Sequence, residues 1–235
     1  MAVSDTPPPY GTIVFDCDST LSAMEGIEEL VGENEEVRRL TALAMDGTIP
    51  LEEVYGRRLE LVRPTRSDME RIARLYRERR LPHAAELVAA LRAAGKRVAV
   101  VSGGLLPAVE PFARGLGIEE VHAVDVRFGP DGTYAGFDED SPLARSGGKL
   151  EVLGRIASAP GAGPIVLVGD GATDLEAAPV LDRFIAFGGV ERRDLVFDAA
   201  RVSCTSPDLF ELAPLLLTGG ERDELRSDPT FRALP

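Results

Sequence analysis

Two aspartates separated by a single residue, Asp16 and Asp18 in the run TIVFDCDSTL at positions 12–21, are the first residues of this chain able to do chemistry. Carboxylates this close cannot both stay ionised unaided: either one takes up a proton or a metal cation is bound between them. Both states suit phosphoryl transfer. A metal-bound Asp16 can attack phosphorus, and a protonated Asp18 can give its proton to a leaving alcohol. Asp and Ser are also ordinary turn residues, so the run has two readings until three further stretches are added.

The first is Ser102-Gly103-Gly104, a hydroxyl beside glycine amides where a strand ends and a helix opens, which makes an oxyanion-binding corner. The second is Ser146-Gly147-Gly148-Lys149. Lys149 falls in the first turn of the helix that follows, against the dipole preference, which suits a point charge acting on a phosphate or on the nucleophile's carboxylate. The third is GDGATD at 169–174, where Asp170 and Asp174 again stand at the carboxyl end of a strand and glycines allow close backbone approach.

Other chemistries are poorly supplied. Only His83 and His122 are present, read as loop or surface residues, so histidine triads and multi-histidine metal sites have little support. Cys17 and Cys204 lack metal-ligand spacing. Strand alternation turns Cys17 into the core, and the flanking aspartates would raise its pKa. A cysteine phosphatase also needs an arginine six residues further on, where Ala23 stands.

The net charge of -13 argues against nucleic acid and anionic membrane as partners. An anionic substrate must then be held by local cations, which screening over ~8 Å permits. Residues 57–80 carry nine arginines against four acidic residues, mostly a solvated helix face. The N-terminus has no apolar segment of signal-peptide length, and no window approaches the ~20 apolar residues of a membrane span. A cytoplasmic location is expected.

The elements that position these residues follow from periodicity. Apolar runs at 13–15, 97–101, 165–168 and 184–187 are short and β-rich, as buried parallel strands are. Residues 21–82 show only helical periods: Ile27, Leu30 and Val31 up to Gly32, then Val37, Leu40, Thr41 and Ala44 up to Asp46-Gly47. Pro50 opens a third helix closed by Pro64, and Ser67 with Glu70 reads as the capping box of a fourth, which bears Ile72, Leu75 and Tyr76. A helix at 84–94 stops at Gly95. Pro107 and Pro111 predict that the helix after Gly104 begins late or kinks. GPDG predicts a hairpin over 124–137. A closing helix is read at 209–217, and the polar tail 221–235 receives no element. The fold class is α/β: a Rossmann-like parallel core from residues 1–20 and 83–235, with a small helical cap, 21–82, inserted after the first strand.

In this order, Asp16-Cys17-Asp18-Ser19-Thr20, Ser102-Gly103-Gly104, Lys149 and Asp170-Gly171-Ala172-Thr173-Asp174 resemble the four motifs of the haloacid dehalogenase superfamily. The stretches AMDG, TYAGFDE, SGGK and FGG bring the chain closest to its phosphoserine-hydrolysing branch, over roughly residues 12–215. The resemblance implies Asp16 as nucleophile forming an aspartyl-phosphate, Asp18 as acid then base, and Ser102, Gly103, Lys149 and Thr173 around the phosphate. It implies Mg2+ held by Asp16, the Asp18 carbonyl and Asp170, with Asp174 in support. Glu25 and Arg58 match the cap residues that grip the ammonium and carboxylate of phosphoserine. The implied reaction is the last step of serine formation, by a monomer or homodimer.

Two other readings start from the same residues. Another small phosphomonoester such as phosphoethanolamine would leave Arg58 without a carboxylate to bind. A receiver-like phosphoacceptor module would also cluster Asp, Ser or Thr and Lys around Mg2+, but the helical insertion and the second aspartate at 18 argue for turnover.

Overall fold

The computed structural model describes residues 9–31, 35–45 and 48–235. The first element among the described residues is β1 (Thr12–Phe15), followed by four helices, α1 (Gly26–Val31), α2 (Glu35–Met45), α3 (Leu51–Val62) and α4 (Arg66–Glu78). Then come α5 (Ala84–Ala93), β2 (Arg97–Leu105), α6 (Leu106–Gly115), β3 (Glu120–Val124), and a hairpin of β4 (Val126–Phe128) and β5 (Tyr134–Phe137). The remainder is α7 (Gly148–Ala157), β6 (Ile165–Gly169), α8 (Ala172–Glu176), β7 (Arg183–Phe187), α9 (Asp194–Ala199), β8 (Val202–Cys204), α10 (Ala213–Leu216) and α11 (Gly219–Arg226).

Six strands form one parallel sheet in the order β3-β2-β1-β6-β7-β8, and the hairpin stands apart from it. Every residue of β1 and β6 is buried, which is why both read as continuous apolar runs. Phe15 pairs with Val100 on one side and Val168 on the other. Asp16 just past β1, Ser102 within β2 and Asp170 just past β6 therefore stand close to one level on three adjacent strands, where the strand order reverses direction and a crevice opens.

Several expectations shift. The capping box of α4 is Thr65 with Asp68, not Ser67 with Glu70: the Asp68 amide donates to Thr65 Oγ1 and the Thr65 amide to Asp68 Oδ2. Ser67 already lies in the helix, whose buried face is Met69, Ile72, Ala73 and Tyr76. Strand β2 runs through Ser102-Gly103-Gly104 to Leu105, and α6 begins at once, with Pro107 in its first turn, where no amide partner is lost. β3, α9 and β8 were not read from the sequence; all are short, and β3 is mostly half-buried. His122 lies on β3 rather than in a loop. The closing helix is a 3-10 turn over Leu209–Leu212 followed by α10, and the tail holds α11, joined to the core by an ion pair between Glu221 and buried Lys96. Gly32 and Asp46-Gly47, expected to end two helices, lie outside the described residues. Among the described residues, no helix is long and apolar enough to cross a membrane.

Candidate active site

Asp16 and Asp18 follow the last residue of β1 and are nearly inaccessible, while Cys17 between them is fully buried in the core, as alternation required. Lys149 is the second residue of α7, and its helix projects the ammonium back onto these strand ends. Its Nζ lies 3.0 Å from Asp16 Oδ1 and 2.6 Å from Asp174 Oδ1. Burial opposes that charge, but Asp16 and Asp174 outweigh it and raise the lysine's pKa above its ordinary value.

Beneath Asp16 the carboxylates of Asp16, Asp170 and Asp174 bring oxygens within 4.8 Å of one another, all buried. Asp170 receives the Thr20 hydroxyl at 3.2 Å. Asp174 is engaged at both oxygens, by Lys149 and by the Gly171 amide at 3.1 Å. Burial, with the charges of Asp16 and Asp174, pushes the Asp170 carboxyl up to about 8 against the pull of Arg193 and Lys149. Burial also carries Asp174 to about 6, Lys149 resisting and Asp16 adding to it. Three buried carboxyls this close, with Asp170 and Asp174 held above the ordinary carboxylate range, form a set that a divalent cation would complete, and hard oxygen donors suit such an ion.

Asp18 stands outside this cluster. Its Oδ1 accepts the Gly26 amide and the Tyr76 hydroxyl, each at 2.7 Å. Burial and the nearby Asp16 charge push it up to about 6, against those two donors and Lys149. Ser102 is fully buried, its Oγ accepting the Gly104 amide at 3.0 Å.

A cavity of about 50 Å³ collects Asp16, Asp18, Ser102 and Gly103 from the strand ends, with Lys149 and Thr173 from the first turns of α7 and α8. From the helical insertion and the loop leading into it come Glu25, Tyr55 and Arg58. Arg58 is 3% exposed, its guanidinium 5.3 Å from the centre of the Tyr55 ring. Tyr55 in turn donates to the Gly103 carbonyl at 2.8 Å, joining α3 to the end of β2. Glu25 accepts the Ser19 hydroxyl at 2.8 Å. Burial and the charges of Asp18 and Asp170 hold its carboxyl well above the usual range. All ten residues expected from the sequence thus line the cavity or lie directly under it.

Arg193 was not anticipated. It precedes α9 in the loop after β7 and is buried, with Nε 3.2 Å from Asp170 Oδ2 and Nη2 3.7 Å from Glu25 Oε1 and 2.9 Å from Glu191 Oε2. The available signal was its place in a loop at the same carboxyl edge as the motifs, shortly after Gly188-Gly189.

Against known families, the model for haloacid dehalogenase-like hydrolases matches residues 13–179, spanning β1, the helical insertion, β2 and β6. The chain is a haloacid dehalogenase-like hydrolase. This hydrolase is 39% identical over 205 residues to the phosphoserine phosphatase of Rattus norvegicus, covering 85% of this chain and 90% of that one. It also superposes on a solved phospho-aspartyl intermediate analogue of phosphoserine phosphatase, with TM-score 0.77, 29% identity and coverage of 89% and 100%. A substrate-bound phosphoserine phosphatase complex gives TM-score 0.78 at 28% identity, with the same coverage.

Proposed function

We propose that this hydrolase cleaves O-phosphoserine to serine and phosphate through a phosphorylated Asp16, with Mg2+ bound at the aspartate cluster. One observation carries the reading: a single cavity joins Asp16 and Ser102 from the strand ends and Lys149 from the start of α7 to a carboxylate and a guanidinium, Glu25 and Arg58, from the helical insertion and the loop leading into it. Phosphoserine carries a phosphate, an ammonium and a carboxylate, and each must find a partner once desolvated. The similarity to proteins named phosphoserine phosphatase supports the same substrate.

In the first step an Asp16 oxygen attacks phosphorus as the bond to the serine oxygen breaks, and Asp18 supplies the proton that leaves with serine. In the second, water attacks the aspartyl-phosphate and Asp18 takes its proton. Lys149, Ser102, the Gly103 amide and Thr173 hold the phosphoryl oxygens. Asp16, the Asp18 carbonyl and Asp170 would hold Mg2+, with Asp174 supporting Lys149 and the cluster; the ion offsets the negative charge of nucleophile and phosphate. Residues 21–82 act as the cap that sets specificity, supplying Glu25 and Arg58 to the cavity.

The test is acid quenching of the enzyme during turnover of radiolabelled phosphoserine with Mg2+. Hydroxylamine-sensitive label on Asp16, absent from a folded Asp16→Asn variant, is the expected result. Label elsewhere, or turnover by that variant, would refute the mechanism. Preference for phosphoethanolamine over phosphoserine in the same assay would refute the substrate.

A further inference from the structure

We propose that Tyr76 is a positioning residue for the acid–base step: with the Gly26 amide it engages Asp18 Oδ1 and so presents Oδ2 to the leaving oxygen. The inference rests on Asp18 being the proton donor.

A carboxyl group has two oxygens, and only one can face the scissile bond. Asp18 Oδ1 already receives two donors at 2.7 Å, one a main-chain N–H that cannot turn away. Oδ2 points to the end of β2, where a Cβ built on Gly104 would come within 2.9 Å of it and 3.2 Å of Ser102 Oγ. That is the side on which Ser102 and Gly103 line the cavity. The proton that moves as the serine–phosphorus bond breaks therefore travels from Oδ2, and returns to Oδ2 from the attacking water.

Tyr76 is rigidly mounted for this task. Its ring stacks on Phe112 of α6, centroids 5.4 Å apart. The end of its helix is tied to the loop after Asp18: the single Ser22 hydroxyl proton is shared between the Tyr76 carbonyl, 3.2 Å from Oγ, and the Arg79 carbonyl, 3.1 Å from it. The Ala23 amide also donates to the Arg79 carbonyl, at 2.9 Å. Gly26 makes the approach possible, because a Cβ there would stand 2.2 Å from the Tyr76 hydroxyl. A buried tyrosine needs a partner for its hydroxyl, so a purely structural role is the alternative that the experiment must separate.

The measurement is single-turnover formation of phosphorylated enzyme from phosphoserine and from p-nitrophenyl phosphate, whose phenolate leaves without a proton. Tyr76→Phe keeps the stacked ring and is expected to slow the step roughly tenfold with phosphoserine while staying within about twofold on p-nitrophenyl phosphate. Gly26→Ala, which pushes the hydroxyl off Asp18, should give the same selective loss if Tyr76→Phe folds poorly. Adding Tyr76→Phe to Asp18→Asn should cost nothing more on either substrate. Equal losses on both substrates, or none, would overturn the role of Tyr76 while a leaving-group-dependent loss in Asp18→Asn still upheld Asp18 as the acid. No such dependence in Asp18→Asn would overturn both.

Discussion

Lys149 donates to Asp174 Oδ1 at 2.6 Å, and the same ammonium stands 3.0 Å from Asp16 Oδ1, so one cation offsets two of three clustered carboxylates. Lys149→Met would leave Asp16 and Asp174 without that cation in a buried site, Arg193 remaining beside Asp170 only, and breaking a buried pair typically costs about 3 to 5 kcal/mol. We expect a lower Tm without metal and a larger Mg2+-induced rise than in the parent, because a bound cation then does more of the neutralising. Calorimetry with and without Mg2+ checks this; equal rises in both proteins would contradict it.

The metal should be selective in effect. Activity is expected to vanish in EDTA and return with Mg2+, whereas Ca2+ should inhibit. Calcium takes more ligands at longer distance and can draw both Asp16 oxygens to itself, spoiling the line of attack. Full turnover in Ca2+ as the sole divalent ion would count against this geometry.

Arg58 lies in the cavity with its guanidinium near the Tyr55 ring. Arg58→Ala is expected to cost about 2 to 4 kcal/mol in transition-state stabilisation for phosphoserine, roughly thirty- to a thousandfold in kcat/KM. Hydrolysis of phosphoethanolamine, which has no carboxylate, should change little. A parallel loss on both substrates would mean that Arg58 supports the cap or the phosphate instead.

Thr65 caps α4 through a reciprocal box with Asp68. Thr65→Ala should lower stability by about 1 kcal/mol. Burial pulls the Asp68 carboxyl up, but the Thr65 hydroxyl and amide, with Arg71, outweigh it and hold the pKa below the usual value. A depressed folded pKa means that this contribution is present above the unfolded carboxylate's titration near pH 4 and fades as pH falls through the folded value. The Tm gap between parent and variant should therefore narrow in acid. A gap that widened there would reject the capping role of Asp68.

Much of this protein was determined by local sequence. Strands β1, β2, β6 and β7 are buried on both faces, so they had to be short continuous apolar runs, and polar residues at their ends had to mark the crevice. Eight of the ten residues gathered at the cavity were legible because three strand ends and one helix start each carry a compact motif, whereas Glu25 and Arg58, in the helical insertion, were found only through the family resemblance. Edge strands β3 and β8 were not, since a half-buried edge leaves no such run. Thr65-x-x-Asp68 and Ser67-x-x-Glu70 both fit a capping box, and only packing of Met69, Ile72 and Tyr76 against the core chose the first. Arg193 has no motif of its own: the parallel register of β7 beside β6 carries its loop to Asp170, from 23 residues away. Tyr76 read as one more apolar position on a helix face. Its hydroxyl acquires a partner 58 residues earlier in the chain only when α4 settles against the end of β1, because side-chain hydrogen bonds of that span depend on tertiary placement and not on local pattern.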